Sequence, residues 1–309
     1  MSAPPHHPRS VIVTRLRAAG CVFAEDEARL LISAARTPAD LAAMVDRRTE
    51  GLPLEQVLGW AEFCGLRIAL DPGVFVPRRR TEFLVRQAAA LVREPAALVR
   101  ETAALVREPA AVSRKAASLP RKAAPGLGRP SPVVVDLCCG SGAVGAALAA
   151  ALGRIELHAV DIDRAAVRCA RRNVADAGGH VYEGDLYEPL PATLRDRVDL
   201  LVANAPYVPT ESVELLPPEA RIHEPRLALD GGTDGLVILR RLTAAAPLWL
   251  APGGHLLVET SKRQAKPTVE TFARCGLVPR VASSRRLNAT VVIGTRPTAR
   301  ADVSAASRL

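Results

Sequence analysis

A glycine-rich stretch, GSGAVG at residues 140–145, matches the G-x-G-x-x-G pattern of a nucleotide-binding turn. The three valines at 133–135 indicate a buried strand before it, and the apolar run at 143–152 indicates a helix after it. Glycines in such a turn accept positive φ, while the free amides of the new helix attract negative charge or hydrogen-bond acceptors. A turn of this kind also joins strands to helices where nothing binds, so the pattern alone does not identify a ligand.

Three aspartates near the ends of predicted strands narrow the choice of ligand. Asp161 closes the second strand, where a carboxylate accepts hydrogen bonds from both hydroxyls of a ribose, in NAD and in S-adenosylmethionine alike. Asp136 lies just before the glycine turn, where its charge suits a sulfonium or ammonium group and would repel a pyrophosphate. Asp185, followed by Leu186, offers another carboxylate near the expected adenine. Together these residues favour S-adenosylmethionine over a dinucleotide.

Strands and helices alternate from residue 133 onward. The predicted strands are 133–138, 155–160, one near 180, 198–203, 254–259 and 289–294. The predicted helices are 143–152, 164–176, 234–246 and 264–275. Such alternation predicts an open, mostly parallel α/β sheet with its ligands at the carboxyl ends of the strands.

The chain before this sheet divides into smaller predicted units. Residues 1–59 show helical spacing of apolar residues, with Pro38 and Asp40 as start signals of one helix, and predict a small helical domain. Residues 60–82 read as a β-hairpin closed at Asp71–Gly73 and a connector, with a short helix from Thr81. A helix and an insertion fill 83–132, the sheet domain spans 133–296, and 297–309 form a disordered tail.

The insertion contains a repeat of period seven, AALVREP, AALVRET and AALVREP, starting at Ala89. Pro95 and Pro109 interrupt it, and three units are too few for a sustained coiled coil. Residues 86–130 also hold nine basic residues against three glutamates, which accounts for most of the net charge of +9. We interpret this segment as a partly helical, then disordered insertion rather than a basic arm, so direct nucleic-acid binding is not expected.

Composition restricts the class of protein further. With 309 residues, of which 49% are hydrophobic, the chain is long and apolar enough for a globular fold. Its N-terminus lacks the apolar centre of a signal peptide, and its longest nearly apolar run, 143–153, is too short to cross a bilayer, so we expect a cytoplasmic protein. The six cysteines and six histidines show no metal-ligand spacing, which predicts reduced thiols and no metal.

The stretch DLLVANAPYVP places Asn204, Ala205, Pro206 and Tyr207 at the carboxyl end of the fourth strand of the sheet. Here the chain resembles the protein glutamine-amide methyltransferases that modify peptide-chain release factors and a ribosomal protein, whose signature is Asn-Pro-Pro-Tyr. Further similar stretches are PLEQVLGWAEF from Pro53, VFVPRRRTEFLV from Val74, DLCCGSGA from Asp136, AVDID from Ala159, EGDLYEPL from Glu183 and HEPRLALDGGTDGL from His223. The resemblance covers residues 10–90 and 133–296 and leaves the repeat out.

This resemblance implies a class I S-adenosylmethionine-dependent methyltransferase, Rossmann-like, with a helical N-terminal domain that recognises the substrate and a β-hairpin connection. It implies methylation of a glutamine side-chain amide in a release factor or ribosomal protein. The implied catalytic residues are Asn204, Ala205, Pro206 and Tyr207. In the family, the asparagine side chain and the next carbonyl bond the target amide. The implied cofactor-binding residues are Asp136, Cys138, Cys139, Gly140, Ser141, Gly142, Asp161, Asp185, Leu186 and Asn204.

Three places depart from the family pattern. Ala205 replaces the first proline of the signature, Cys138 and Cys139 replace a Gly-Thr pair, and Arg79 and Arg80 replace Pro-Glu in P-R-P-E-T-E. These departures indicate a divergent subgroup and leave the protein substrate open. Two alternatives stay open as well. One is an amino-methyltransferase of adenine or guanine in nucleic acid, which an aromatic content of 3% disfavours. The other is a non-catalytic cofactor-binding interaction protein.

Overall fold

The computed structural model describes residues 9–93 and 131–298. Its helices are α1 Arg9–Ala18, α2 Ala24–Ala34, α3 Pro38–Thr49, α4 Leu54–Leu58, α5 Glu82–Arg93, α6 Ala143–Leu152, α7 Arg164–Asn173, α8 Pro218–His223, α9 Val237–Trp249 and α10 Ala265–Arg274. Its strands are β1 Trp60–Phe63, β2 Leu66–Ala69, β3 Val133–Leu137, β4 Glu156–Asp161, β5 His180–Glu183, β6 Val198–Ala203, β7 Leu250–Thr260, β8 Val278–Ser284 and β9 Ala289–Thr295.

Helix α5 covers the start of the period-seven repeat, Ala89–Arg93. Residues 94–130 of the predicted insertion and residues 299–309 of the predicted tail lie outside the described residues. Within residues 9–93 and 131–298, no helix has the length and apolar character that a membrane span needs.

The first three helices pack around a small core of their own. Its buried side chains include Ile12, Leu16, Leu31, Met44 and Val45. α3 begins at the predicted signals, because Thr37 accepts a hydrogen bond from the backbone N of Asp40 and Pro38 occupies the first turn. The helical spacing predicted before residue 60 is therefore confirmed.

The hairpin that follows is shorter than predicted. β1 pairs antiparallel with β2, with Phe63 opposite Leu66, so the loop is Cys64–Gly65. Both loop residues have positive φ, 52° and 76°, as a two-residue type I′ turn requires. The predicted closure at Asp71–Gly73 is wrong, since that turn lies after β2. Cysteine seldom adopts positive φ, and for that reason a turn at Cys64 was not predicted.

A seven-stranded sheet forms the main body, in the order β5-β4-β3-β6-β7-β9-β8. The pairs from β5 to β7 are parallel, whereas β9 runs antiparallel to both β7 and β8. The predicted parallel sheet is confirmed, while β8 and α8 were not predicted and several bounds differ by a few residues. β4 and β6 lie on opposite sides of β3, so the chain changes direction there and opens a crevice at the carboxyl ends of these strands.

Alternate residues of β3 enter different cores on the two faces of the sheet. Val133, Val135 and Leu137 pack in the core that includes α9 and Phe272 of α10. Val134 packs in the core that includes α5 and α6. Asp136 lies on the same face of the sheet as Val134, because side chains alternate along a strand. Its carboxylate accordingly contacts α6. The alternation of side chains along β3 therefore determines that the Asp136 carboxylate contacts α6 and not α9.

Candidate functional site

Two carboxylates hold the glycine-rich turn between β3 and α6. Asp136 Oδ2 accepts a hydrogen bond from the backbone N of Gly145 at 2.9 Å. Asp161 Oδ2, at the end of β4, accepts one from the backbone N of Gly140 at 2.8 Å, and its Oδ1 accepts one from Asp163 N at 2.9 Å. Side chains from both β3 and β4 thus hold the turn. The two aspartates predicted to bind a ligand therefore also stabilise the backbone of the turn.

A cavity of about 210 Å³, which we name the larger cavity, opens at the carboxyl ends of β3, β4, β5 and β6. The predicted residues in its wall are Asp136, Cys138, Cys139, Gly140, Ser141, Asp161, Asp185, Leu186, Asn204 and Pro206. Gly142, predicted to bind the cofactor, is not among the lining residues. It precedes α6 with φ 76°, and a Cβ there would lie 3.0 Å from the Ala170 backbone. Close helix packing is therefore the role that the structure gives Gly142.

The charges in the larger cavity are mainly negative. Five aspartates and one arginine line it among the described residues, namely Asp136, Asp161, Asp163, Asp185, Asp230 and Arg241. Arg241 pairs with Asp185 at 2.6 Å, so its charge is already compensated. Asp136 is 1% exposed, and burial raises its pKa to about 7, although the hydrogen bond from Gly145 opposes that rise. Burial also raises the pKa of Asp161, against the effect of its backbone donors.

The Asn204–Tyr207 loop begins directly after β6 and separates the larger cavity from a smaller one. Asn204 lines both cavities, Pro206 the larger, and Ala205 and Tyr207 the smaller. Asn204 Oδ1 is buried and accepts no hydrogen bond in the described part of the chain. The smaller cavity measures about 30 Å³, and its wall consists of Phe75, Arg80, Asn204, Ala205, Tyr207, Val208, Ala228 and Leu229.

Two distant segments hold this loop. The carbonyl of Tyr207 accepts a hydrogen bond from Gln264 Nε2 at 2.9 Å, and its hydroxyl lies 3.5 Å from Glu259 Oε1 at the end of β7. Burial raises the pKa of Tyr207 to about 12, so its hydroxyl stays protonated at neutral pH. The carbonyl of Val208 accepts a hydrogen bond from the backbone N of Gly231 at 2.8 Å. A Cβ on residue 231 would lie 2.7 Å from the Pro206 carbonyl oxygen. Glycine is therefore required at 231.

Comparisons with known proteins are consistent with this arrangement. Residues 125–232 match the methyltransferase small domain family. A release factor glutamine methyltransferase of Geobacter sulfurreducens is 37% identical over 244 residues, which are 77% of this chain and 72% of that protein. One from Streptomyces coelicolor is 35% identical over 72% of this chain and 67% of that protein. The chain belongs to the release factor glutamine methyltransferase family.

Two further similarities complete the comparison. A protein of Streptomyces pristinaespiralis named 4-amino-L-phenylalanine/4-methylamino-L-phenylalanine methyltransferase is 34% identical over 75% of this chain and 69% of its own length. A crystal structure of ribosomal protein L11 methylase from Lactobacillus delbrueckii subsp. bulgaricus aligns with 74% of this chain and 85% of its own, with a TM-score of 0.44 and 17% identity. The sheet order described above and the match to the methyltransferase small domain family give this family member the fold of a class I methyltransferase.

The residues of the larger cavity fit the cofactor of a glutamine methyltransferase, S-adenosylmethionine. Its sulfonium and ammonium groups are cationic, and its ribose hydroxyls need acceptors, so a wall dominated by aspartates matches it. The pyrophosphate of a dinucleotide would meet those aspartates, and Arg241, already paired with Asp185, compensates little. The charges around the glycine turn therefore suit a methyl donor better than a dinucleotide.

The departures from the family pattern have different physical consequences. Cys138 has φ 55°, a left-handed backbone conformation that glycine adopts readily and cysteine does not. Ala205 is 3% exposed and keeps the carbonyl that the family uses, without the rigidity of proline. Arg80 carries a positive charge into the wall of the smaller cavity, where the family has glutamate. Burial raises the pKa of Cys138 well above its usual value, so its thiol is neutral.

Several site residues were missed at the level of sequence. Phe75, Thr81, Ile162 and Arg241 line the larger cavity, and Arg80 lines the smaller one. Phe75, Thr81 and Arg80 lie in the VFVPRRRTEFLV stretch and Ile162 in AVDID, so the resemblance marked their segments but assigned them no role. Ile162 is 52% exposed, and the only signal in the sequence is its place directly after Asp161, at the end of a predicted strand.

Proposed function

We propose that this protein transfers a methyl group from S-adenosylmethionine to the side-chain amide of a glutamine in a peptide-chain release factor, in the cytoplasm. The observation that carries the proposal is the position of Asn204. Its side chain lines both cavities, and its buried Oδ1 has no partner among the described residues. A buried carbonyl oxygen without a partner is costly, and an amide N–H of a substrate would satisfy it.

Amide recognition explains why this loop suits glutamine. A glutamine amide nitrogen is a poor nucleophile because its lone pair is delocalised into the carbonyl, so the site must orient it towards the donor. Asn204 Oδ1 and the Ala205 carbonyl accept the two amide hydrogens, while Pro206 and Tyr207 pack against the flat faces of the group. Orientation of this kind contributes a large part of the rate of such a transfer.

The larger cavity provides the donor side of the reaction. When bound, S-adenosylmethionine supplies an electrophilic methyl group attached to a sulfonium. Asp161 holds the ribose hydroxyls, Asp136 compensates the cationic end, and Ile162 and Leu186 offer apolar surface to the adenine. No base has to remove a proton before transfer, because the amide nitrogen becomes acidic only as it gains the methyl group and then releases its proton.

The size of the smaller cavity suits the side-chain amide of a glutamine. A volume of about 30 Å³ corresponds to about two or three water molecules, close to the three heavy atoms of a side-chain amide. A second candidate acceptor is a small aromatic amine, since one relative is named for 4-amino-L-phenylalanine. The relatives named for a release factor favour the glutamine amide over this amine. No relative described above favours nucleic acid as the acceptor.

Methyl transfer to defined acceptors tests the proposal. The purified protein is incubated with labelled S-adenosylmethionine and, separately, with a release factor, total ribosomal protein, total RNA or 4-amino-L-phenylalanine. Mass spectrometry then locates the label. We expect one methyl group on a glutamine of the release factor, and none with an Asn204→Ala control. Label on a ribosomal-protein glutamine would change the substrate and keep the chemistry. Label only in RNA or in the small amine would overturn the proposal, as would donor binding without any transfer.

A further inference from the structure

Asn173, the last residue of α7, joins two segments that are far apart in the sequence. Its Oδ1 accepts a hydrogen bond from the backbone N of Ala69, at the end of β2, at 2.8 Å. Its Nδ2 donates one hydrogen bond to the carbonyl of Ala69 and one to the carbonyl of Ser141, both at 2.8 Å. One side chain therefore connects the hairpin to the glycine-rich turn that lines the larger cavity.

The partners of Asn173 require a side-chain amide. A backbone N–H only donates and a carbonyl only accepts, so the partners determine which end of the amide faces each of them. Nδ2 has two hydrogens for the two carbonyls, and Oδ1 accepts from Ala69 N. An aspartate of the same shape would keep the bond from Ala69 N but would direct an oxygen at both carbonyl oxygens. Shape alone therefore does not satisfy this position.

The carbonyl of Ser141 lies where α6 begins. In a regular helix such a carbonyl accepts a hydrogen bond from the backbone N four residues later, which here is that of Gly145. In this structure Gly145 N donates to Asp136 Oδ2 at 2.9 Å, and the Ser141 carbonyl accepts from Asn173. Two side chains, one from β3 and one from α7, therefore satisfy the two backbone groups that would otherwise bond each other.

Asn173 acts on the larger cavity only through the turn. It is not among the residues of the cavity wall, whereas Gly140 and Ser141 are. Ser141 is 3% exposed, so its carbonyl would be costly to leave without a donor, and the turn would have to move to find one. Such a movement would change the wall that a bound ligand contacts.

We propose that Asn173 is a positioning residue for the donor site. It holds the glycine-rich turn in the conformation that binds S-adenosylmethionine and fixes it against the end of β2, without contact to the donor itself. The inference rests on the donor side of the proposed function and does not depend on which acceptor is methylated.

Calorimetric titration of variants tests the inference, with S-adenosylhomocysteine as the ligand. This ligand lacks the sulfonium charge, so a new carboxylate near the site attracts it less than the donor. We expect Asn173→Asp to raise Kd about tenfold, as the loss of two hydrogen bonds implies. Asn173→Ala should raise Kd less, about threefold, because a water molecule can enter the gap and donate to the Ser141 carbonyl.

Arg172→Gln is the matched control. Arg172 precedes Asn173, and its Nη2 lies 2.6 Å from Oδ1 of Asp71, just after the hairpin. The substitution removes this link between α7 and the segment after β2 and leaves the glycine-rich turn untouched. All titrations are made well below the thermal transition of each variant, so that every protein is folded. Arg172→Gln should then keep the wild-type Kd.

Amide hydrogen exchange in the donor-free protein separates positioning from a general loss of stability. In both Asn173 variants we expect faster exchange at the turn amides of Gly140 and Gly145, with wild-type rates in the central strands β6 and β7. A merely structural role would accelerate exchange in the turn and in those strands alike.

The outcomes also distinguish this inference from the proposed function. Equal Kd values for wild type and Asn173→Asp, an equal rise in Arg172→Gln, or uniformly faster exchange would overturn the role of Asn173. If Asn173→Asp does not fold, Asn173→Ala decides the question by the same two measurements. A wild-type protein that shows these donor effects and methylates no glutamine would support the inference and overturn the proposed function. A wild-type protein that binds neither S-adenosylhomocysteine nor S-adenosylmethionine would overturn both.

Discussion

The larger and the smaller cavity are built in different ways. The larger one uses the ends of successive parallel strands and one glycine turn, so its main residues follow β3, β4, β5 and β6 in chain order. The smaller one gathers residues from 75–80, 204–208 and 228–229, and the end of β7 supports it through Glu259. The acidic and glycine residues of the donor site therefore come from successive strand ends, with further wall residues from 63–81 and 225–241, whereas the smaller cavity has no such run of strand ends and depends on packing between remote segments.

Because of this difference, substitutions in the two cavities should have different effects. In the larger cavity, backbone conformation matters most, because Asp136 and Asp161 both bond amides of the turn. In the smaller cavity, side-chain identity matters most, because Asn204, Arg80 and Tyr207 supply the polar side chains of its wall. Substitutions in the acceptor site should change methyl transfer and spare donor binding, and substitutions in the turn should do the reverse. The following predictions test that division, beginning with the largest effect.

Asn204→Ala should reduce methyl transfer by at least about two orders of magnitude, on the scale of about 2.7 kcal/mol for one lost polar partner. Asn204→Asp should do the same, since aspartate cannot donate to the acceptor carbonyl. Single-turnover transfer measures the loss, and calorimetry should show nearly normal donor affinity.

Ala205→Pro tests the same loop in the opposite direction. It should stiffen the residue whose carbonyl accepts the amide hydrogen and leave activity equal or higher. Full activity of Asn204→Ala would refute amide recognition at this position and would remove the distinction between the two cavities.

Asp161→Ala should weaken donor binding by about 1.5–3 kcal/mol, because the ribose loses a charged acceptor. The structure adds a second cause, since the turn also loses the acceptor of Gly140 N. Calorimetric titration measures the affinity. Glu183→Ala is the matched control, because Glu183 ends the neighbouring strand β5 and lies outside the cavity wall. Equal affinities for the two variants would move the ribose contact elsewhere.

Donor affinity should rise with pH through about 7, because burial raises the pKa of Asp136 to that value and the cationic donor binds its ionised form. Below that pKa the affinity should fall about tenfold per pH unit. The stability of the donor-free protein should change with pH in the opposite direction. Asp136 has a higher pKa in the folded protein, so its protonation favours folding fully at pH values below its ordinary pKa of 3.8. This contribution to stability is lost as the pH rises towards about 7.

Asp136→Asn is the control for both pH effects. Titration calorimetry across this pH range and denaturant unfolding of the donor-free protein measure them. Identical pH profiles for wild type and Asp136→Asn would show that another group titrates.

Cys138→Gly should be more stable to unfolding than Cys138→Ala by about 1 kcal/mol, because only glycine adopts φ 55° without steric cost. At an ordinary backbone position the order would be reversed, since glycine loses more conformational entropy on folding. Denaturant unfolding of the two variants gives the difference directly. A more stable alanine variant would mean that the turn is not left-handed at this residue.

Deletion of residues 95–128 should have the smallest effect. These residues lie outside the part of the chain that the structure describes and outside every stretch that resembles the family, so donor binding and the thermal transition should persist. Differential scanning calorimetry and donor titration measure the two properties. Loss of the transition would contradict the prediction, and loss of protein methylation alone would make the segment part of substrate docking.

The sequence by itself determined the parts of this protein that depend on local patterns. The valines of β3, the glycine turn and the apolar run of α6 specify a strand, a turn and a helix through short-range preferences, and their bounds were predicted closely. Asp136, Asp161 and Asn204 were found because each lies near the carboxyl end of such a strand, and parallel strands bring their carboxyl ends to one edge.

Tertiary structure alone decided the features that need contacts between remote residues. The Cys64–Gly65 turn was missed because a cysteine with positive φ is maintained by the surrounding pairing and not by its own preference. Strand β8 was missed because its pairing with β9 supplies what its own pattern lacks. The contact of Arg80 with Glu259 spans 179 residues. No local periodicity reports such a pairing, since burial of the carboxylate beside the arginine exists only once β7 and the segment before α5 have packed together.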